Sequence, residues 1–445
     1  MPPPTPSARN ACQVLVLGAG LAGMRAAWAA KESDPRLDVI LVSPHKAPSG
    51  SSFANRNNAL GIQAPLPHEA EAFMEEALRL AHPGTALPEL VRALAEDAPQ
   101  RLGDLLDLNL TFRREPDGSL SRFPGCFSPA PRAVVFDGLA AAHSAFLARV
   151  RSLGVRVLHG YEAMELLKRG GHVCGARLAA LRGERSMDLS AGAVIAALGG
   201  PAPLFARRIC GPGGSGLAYG LLHRAGARLV NTRHLQFFWS RARDRAFVNP
   251  GTLPWPDELA SLAAARRTHC PLAFDLPDAA LDRDLLSRRG ADGLVRLPGH
   301  EPLALFAHAG NGGALIDAHG RTSIPGLFAC GECAGGMHGA QRLGGGMVLS
   351  ALVFGARAGA AAAQEACGGL PSTSTPAQEP RAPANSASDA SFLRSLRRGM
   401  DRHGLPGAPH SQGFTAWLKD ASQRAASERQ RLLALSALLV LGDLS

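Results

Sequence analysis

The sequence predicts an α/β fold that is interrupted by an inserted α+β segment and followed by a helical C-terminal region. Three observations carry this prediction. Near the start, the apolar run 13–17 meets Gly18-Ala19-Gly20-Leu21-Ala22-Gly23 and then a helical stretch over 24–31. Far downstream, residues 326–332 read as a second buried strand, followed by a glycine-studded loop and an Ala/Gly-rich helix from about Met347. Between them, residues 250–298 mix prolines, arginines and short helical runs, the composition of a separate unit.

The opening strand, turn and helix form a Rossmann-like G-x-G-x-x-G unit. The first glycine makes the tight turn, the second admits a pyrophosphate, and the third lets helix and strand pack closely. A second strand follows over 37–42, with Ser43 where an acidic residue often holds a ribose. NAD and FAD both use this turn, so it does not choose between them. Residues 49–62 are small, polar and punctuated by glycine, which suits wrapping a flavin and equally suits an ordinary Ser/Asn turn cluster.

Residues 68–112 carry helical periodicity, with Phe73, Ala77 and Leu80 at i, i+4, i+7 and a second amphipathic run over 90–108. A Pro-containing loop over 122–132 precedes a helix over 139–153 and short strands over 155–158 and 175–178. The run 193–200 is a buried strand closing on a glycine pair. A helix over 216–224 opens the changed pattern, and the chain returns at 307–313. The expected units are therefore 1–214 and 307–369 for the nucleotide domain, 215–306 for the cap, 370–391 for a Pro/Ser/Thr/Ala-rich linker, and 392–445 for a helical region.

The 47 basic and 37 acidic side chains leave a net charge of +10, but the arginines are scattered. That distribution speaks against a nucleic-acid partner and favours anionic cofactors and small acidic substrates. Eight dispersed cysteines and a Pro-rich first ten residues without an apolar core predict no signal peptide and a reducing, cytoplasmic setting. The longest apolar run, 432–441, is broken only by Ser436 and is too short to span a bilayer. A packed terminal helix is expected there, leaving peripheral membrane association or subunit contact open. Cys330 and Cys333 form a C-x-x-C pair, but no second pair completes a zinc site, so no metal is expected.

In this order the motifs resemble the flavoprotein family of succinate dehydrogenase and fumarate reductase, which includes L-aspartate oxidase. The resemblance spans about residues 12–368. It rests on the glycine turn, the Ser/Asn-Gly-Ile loop, Leu198-Gly199-Gly200, Gln236-Phe237, the stretch 308–313, Gly331-Glu332 and, most specifically, the block 338–344. It implies an FAD-binding domain with a cap closing over the flavin. Gly18, Ala19, Gly20 and Gly23 would hold the pyrophosphate. Ser43, Ser52, Asn58, Gly61, Gly199, Gly346, Met347 and Val348 would complete the cofactor site. Glu332 would accept from the ribose diol, and a carboxylate at the end of a buried strand needs such donors. Arg342 would grip a substrate carboxylate with its planar, permanently charged fork, with His308 sharing it and His338 supporting the loop.

The departures are as informative. No histidine lies between Lys46 and Gly61, so FAD is expected to be noncovalent. The family's Gln-Phe-His-Pro-Thr is Gln236-Phe237-Phe238-Trp239-Ser240, which exchanges a substrate-binding histidine for Phe238 and, with Trp239, predicts a more apolar pocket. The Arg-Gly-Glu-Gly-Gly loop that carries a proton-delivering arginine is absent, leaving Arg241, Arg243 and Arg245 as substitutes or as a solvated basic loop. The leading expectation is an oxidoreductase exchanging hydride between flavin N5 and a small carboxylate or amino acid. The alternative is a flavin-binding electron-transfer or assembly subunit of a larger redox complex.

Overall fold

The computed structural model describes residues 10–183, 185–272, 276–366 and 387–444. Its centre is the strand Ser186–Ala196, whose apolar C-terminal half pairs in parallel with Ala11–Leu17 on one side and Leu327–Ala329 on the other. Val39–Ser43 and Arg156–His159 extend the parallel sheet beyond Ala11–Leu17. The first and last thirds of the sequence thus meet on one strand. All the parallel strands point their C-terminal ends toward the same edge, where an open α/β sheet holds its ligand.

The other half of Ser186–Ala196 pairs with an antiparallel hairpin, Tyr161–Arg169 and His172–Ala180. Sequence reading underestimated this hairpin, placing only 175–178 in a strand. Its outer face is charged, with Arg177 bridging Asp188 at 2.8 Å and Glu165 at 2.7 Å, so the hydrophobic run is broken. Opposite charges across neighbouring strands stabilise such a face.

Two helices cross on one face of the sheet. Leu21–Ser33 starts directly after the glycine turn, and Gly346–Ala366 packs along it. A Cβ on Gly355 would lie 2.7 Å from the Ala22 carbonyl oxygen, and one on Gly359 would lie 2.2 Å from that of Ala26. Glycine is therefore required for the helices to approach. Gly346–Ala366 is long and apolar enough to cross a membrane, but 78% of its apolar window is buried in the protein, as in a core helix.

The antiparallel pair Leu235–Arg241 and Leu303–Gly310 brackets the excursion that carries the helices Ala260–Arg266 and Ala279–Ser287. The expected linker falls outside the described residues up to 386. Its last five positions belong to the helix Ala387–His403, which begins earlier than expected. The terminal helix Glu428–Leu441 packs on Gln412–Arg424 and on Ala218–Ala225. Ser436, the polar break in its apolar run, is buried and accepts a 2.8 Å hydrogen bond from the Gly220 amide.

Gly359→Val should lower stability by about 1–3 kcal/mol or more through overpacking against Ala26. Gly103→Ala, in the middle of the helix Pro88–Asp107 with nothing within 4 Å of its added Cβ, should raise it by about 0.4–1 kcal/mol. Urea unfolding midpoints of the two variants check both signs.

Candidate functional site

At the carboxyl edge of the parallel strands lies a cavity of ≈ 380 Å³. Gly18, Ala19, Gly20, Ser43, Ser52, Gly61, Gly199, Glu332, Met347 and Val348 line it, as do Arg342 and His308. Gly23, Asn58 and Gly346 do not. A Cβ on Gly23 would come within 1.8 Å of the Gly18 carbonyl oxygen, so this glycine lets the turn close. The Asn58 side-chain oxygen accepts from the Leu139 amide at 3.0 Å and caps the helix Leu139–Ser152. Gly346 spends its amide on the Leu343 carbonyl at 2.9 Å. The contacts that the structure shows for these three are with the protein itself, outside the cavity lining.

At one end, Gly18 has φ +114°, which favours glycine, and a Cβ there would lie 2.2 Å from the Ala197 oxygen. Helix Leu21–Ser33 begins with no acidic residue in its first turn, so its positive end faces the cavity uncompensated. The Leu21 amide donates to Ser52 Oγ at 3.2 Å, which ties the Ser/Asn loop to the glycine turn. Ser43 Oγ donates to the His45 carbonyl at 2.7 Å. A carboxylate does reach the lining from the hairpin strand Tyr161–Arg169, that of Glu162, which pairs with Arg429 at 3.4 Å.

The other end is built around Arg342. Its guanidinium is 6% exposed and, among the described residues, makes no ion pair. Arg342 Nη1 donates to Asn311 Oδ1, and Asn311 Nδ2 donates to the Ala340 carbonyl at 3.2 Å. Asn311 thus positions the arginine and its loop together. Further ties are Gln63 Nε2 to the Gly344 carbonyl at 2.7 Å and Asn231 Nδ2 to the His338 carbonyl at 2.9 Å. Asn311, Gln63 and Asn231 escaped sequence reading as site residues, since only the fold brings their distant segments to the loop.

Burial lowers the Arg342 pKa to about 10, with Glu332 opposing the shift, so the group stays cationic at neutral pH. Burial and then the arginine's charge push the His308 pKa down to about 3, and the same causes act on His338. Both imidazoles are therefore neutral at physiological pH. His308 Nδ1 is buried without a hydrogen-bond partner. His338 instead exchanges a 3.1 Å hydrogen bond with Ser350 Oγ, the supporting role expected of it. Glu332 Oε1 accepts from the Gly310 amide at 2.9 Å, while burial raises its pKa.

Trp239 is fully buried and donates from Nε1 to Asp282 Oδ1 at 2.9 Å, so it adds no apolar surface to the cavity, contrary to expectation. Arg241, Arg243 and Arg245 are exposed and outside the lining, and Arg241 pairs with Asp244 at 2.6 Å. They form the solvated loop. Cys330 and Cys333 lie in the core, with Cys333 Sγ donating to the Ala196 carbonyl at 3.3 Å and its pKa pushed up to about 11 by burial.

A family model described as an FAD binding domain matches residues 13–241 and 283–348. L-aspartate oxidase of Caulobacter vibrioides is 31% identical over 440 residues, 87% of this chain and 82% of that protein. The fumarate reductase flavoprotein subunit of Mycobacterium tuberculosis is 28% identical over 454 residues, 88% of this chain and 76% of its own length. Among solved structures, the Mycobacterium smegmatis Sdh1 complex superimposes with a TM-score of 0.74 at 22% identity, covering 97% of this chain and 85% of that one.

The neutral histidines have a consequence for stability. A base whose native pKa lies below its ordinary value of 6.5 takes up protons preferentially when unfolded, so stability falls as pH drops through 6.5 toward 3. The expected slope is about 1.4 kcal/mol per pH unit for each histidine. Urea unfolding from pH 7 to pH 5 measures it, and His338→Gln should remove about 1.4 kcal/mol per pH unit of that slope.

Proposed function

This chain belongs to the flavoprotein family of succinate dehydrogenase and fumarate reductase, which includes L-aspartate oxidase, and is an FAD-dependent oxidoreductase; we propose that it exchanges hydride between FAD and a small carboxylate or amino acid. The observation that carries this reading is Arg342, a buried cation without a carboxylate partner among the described residues, at the wall of the cavity beside neutral His308. A buried charge of this kind calls for an opposite charge, and a substrate carboxylate supplies it.

The residues fit the cofactor. The cradle at Gly18 has no room for a Cβ, and Glu332 faces the cavity with a carboxylate that holds the Gly310 amide on one oxygen. In this reading Gly18, Ala19 and Gly20 hold the pyrophosphate, and Ser43, Ser52, Gly61, Gly199, Met347 and Val348 complete the walls. Glu332 takes the ribose. Bound FAD would supply a two-electron acceptor able to take a hydride from a substrate C–H bond, the substrate losing one proton besides and gaining a C=N or C=C bond. Arg342 orients the substrate, His308 Nδ1 exchanges one hydrogen bond with it, and the cap loop excludes water. No histidine stands between Lys46 and Gly61, and His45 is outside the cavity lining, which supports noncovalent attachment.

The exposed placement of Arg241, Arg243 and Arg245 favours a second reading, in which the protein carries flavin as an electron-transfer or assembly subunit without substrate turnover. Purified protein should release FAD on acid precipitation, and anaerobic addition of carboxylates and amino acids should bleach the flavin spectrum with at least one of them. Arg342→Leu should lower kcat/KM for that compound by about two orders of magnitude, the cost of an unmatched charge-assisted contact, while retaining FAD. A bound flavin that no carboxylate or amino acid reduces would leave the second reading standing in place of turnover.

A further inference from the structure

We propose that this site selects a substrate with one carboxylate joined to an apolar or aromatic body, in preference to a dicarboxylate. The proposal rests on the hydride-exchange reading and deepens it.

The charges around the cavity come first. Its only cationic lining residues among those described are Arg342 and Arg56. Arg342 is buried and serves one carboxylate. Arg56 is exposed and lies in the field of Asp244, whose own pKa it helps to lower, so it sits at a solvated rim. His308 is neutral and adds hydrogen-bonding capacity without charge. The two carboxylates in the lining, Glu162 and Glu332, offer a second carboxylate no positive charge, and Glu162 is itself paired with Arg429 at 3.4 Å.

An aromatic relay occupies the side facing these groups. The Phe238 ring meets the His308 imidazole edge to face, with centroids 4.9 Å apart and planes at 83°. Phe247 packs on Phe238 from the cavity side, again at 4.9 Å, and itself lines the cavity. Behind them Ile209, Phe238, Ala304 and Phe306 form an apolar cluster separate from the main core. Ile209 also reaches the lining. Phe247 is 39% exposed, one of the few large apolar side chains left open to solvent, and its open surface belongs to the cavity wall.

These groups discriminate by desolvation. A second carboxylate carried toward Phe247 would meet an apolar wall, and the only other lining cation among the described residues, Arg56, is solvated and already in the field of Asp244, whereas an apolar body there removes its own surface and that of the phenylalanine from water. Substrate edges and faces also fit an aromatic relay of this geometry.

The test uses FAD-loaded protein and two unreactive acids, phenylacetate and malonate, with dissociation constants from titration calorimetry. Phenylacetate should bind at least about tenfold more tightly than malonate. Phe247→Ser, on an exposed loop, should weaken phenylacetate by about tenfold, and Phe247→Arg should tighten malonate by a similar factor. In parallel, anaerobic reduction is compared within matched pairs, phenylalanine against aspartate and 3-phenylpropionate against succinate, and the apolar member should be the faster. Tighter malonate, or faster aspartate or succinate, overturns the selectivity and leaves hydride exchange intact. Phenylacetate affinity unmoved by Phe247→Ser overturns the role of the relay. If neither acid binds and no member of either pair reduces the flavin, the proposed function falls as well.

Discussion

The burial of one positive charge organises the functional half of this protein. Arg342 sits almost wholly out of solvent with a single side-chain acceptor, Asn311, so its loop must be held rigidly enough to bear that cost. Asn311, Gln63 and Asn231 hold it from three distant segments of the chain. The charge then acts on its neighbours. It helps to keep His308 and His338 neutral and opposes the rise that burial imposes on Glu332. At this end of the cavity, a buried cation beside a neutral imidazole follows from that one placement.

The opposite end of the cavity depends on close approach instead of charge. Gly18 and Gly23 bring the turn against itself and against the central strand, while Gly355 and Gly359 bring the last core helix against the first. Strand Ser186–Ala196 receives neighbours from both ends of the sequence, so the glycine turn and the Arg342 loop are supported by one sheet edge. The two ends of the cavity are therefore joined through one sheet edge.

The cap is where this chain has moved away from the pattern its sequence resembles. Phe238 stands against His308 where the resemblance expects a histidine, and Phe247 covers it from the cavity side. Trp239, its sequence neighbour, points the other way into the cap, as alternation along a strand requires. The reading of Phe238 and Trp239 as joint pocket walls overlooked that alternation. One of the pair faces the site side and the other is core.

The local signals in the sequence determined the α/β class, the glycine turn and the buried strands, and they singled out Arg342, His308 and Glu332, which the structure places in the cavity lining, because each is written in contiguous residues. Gly23, Asn58 and Gly346 share those stretches, yet their contacts are with the protein itself, since a motif names positions and not the direction each one faces. Glu162, Asn311, Gln63 and Phe247 became legible only in the tertiary structure. Each reaches the cavity or its supporting loop from a segment far away in sequence, and hydrogen bonding and packing across such distances leave no local pattern to read. The strength of the charge effects was likewise decided by folding, because an arginine or histidine acquires its altered pKa only when the surrounding chain excludes water from it.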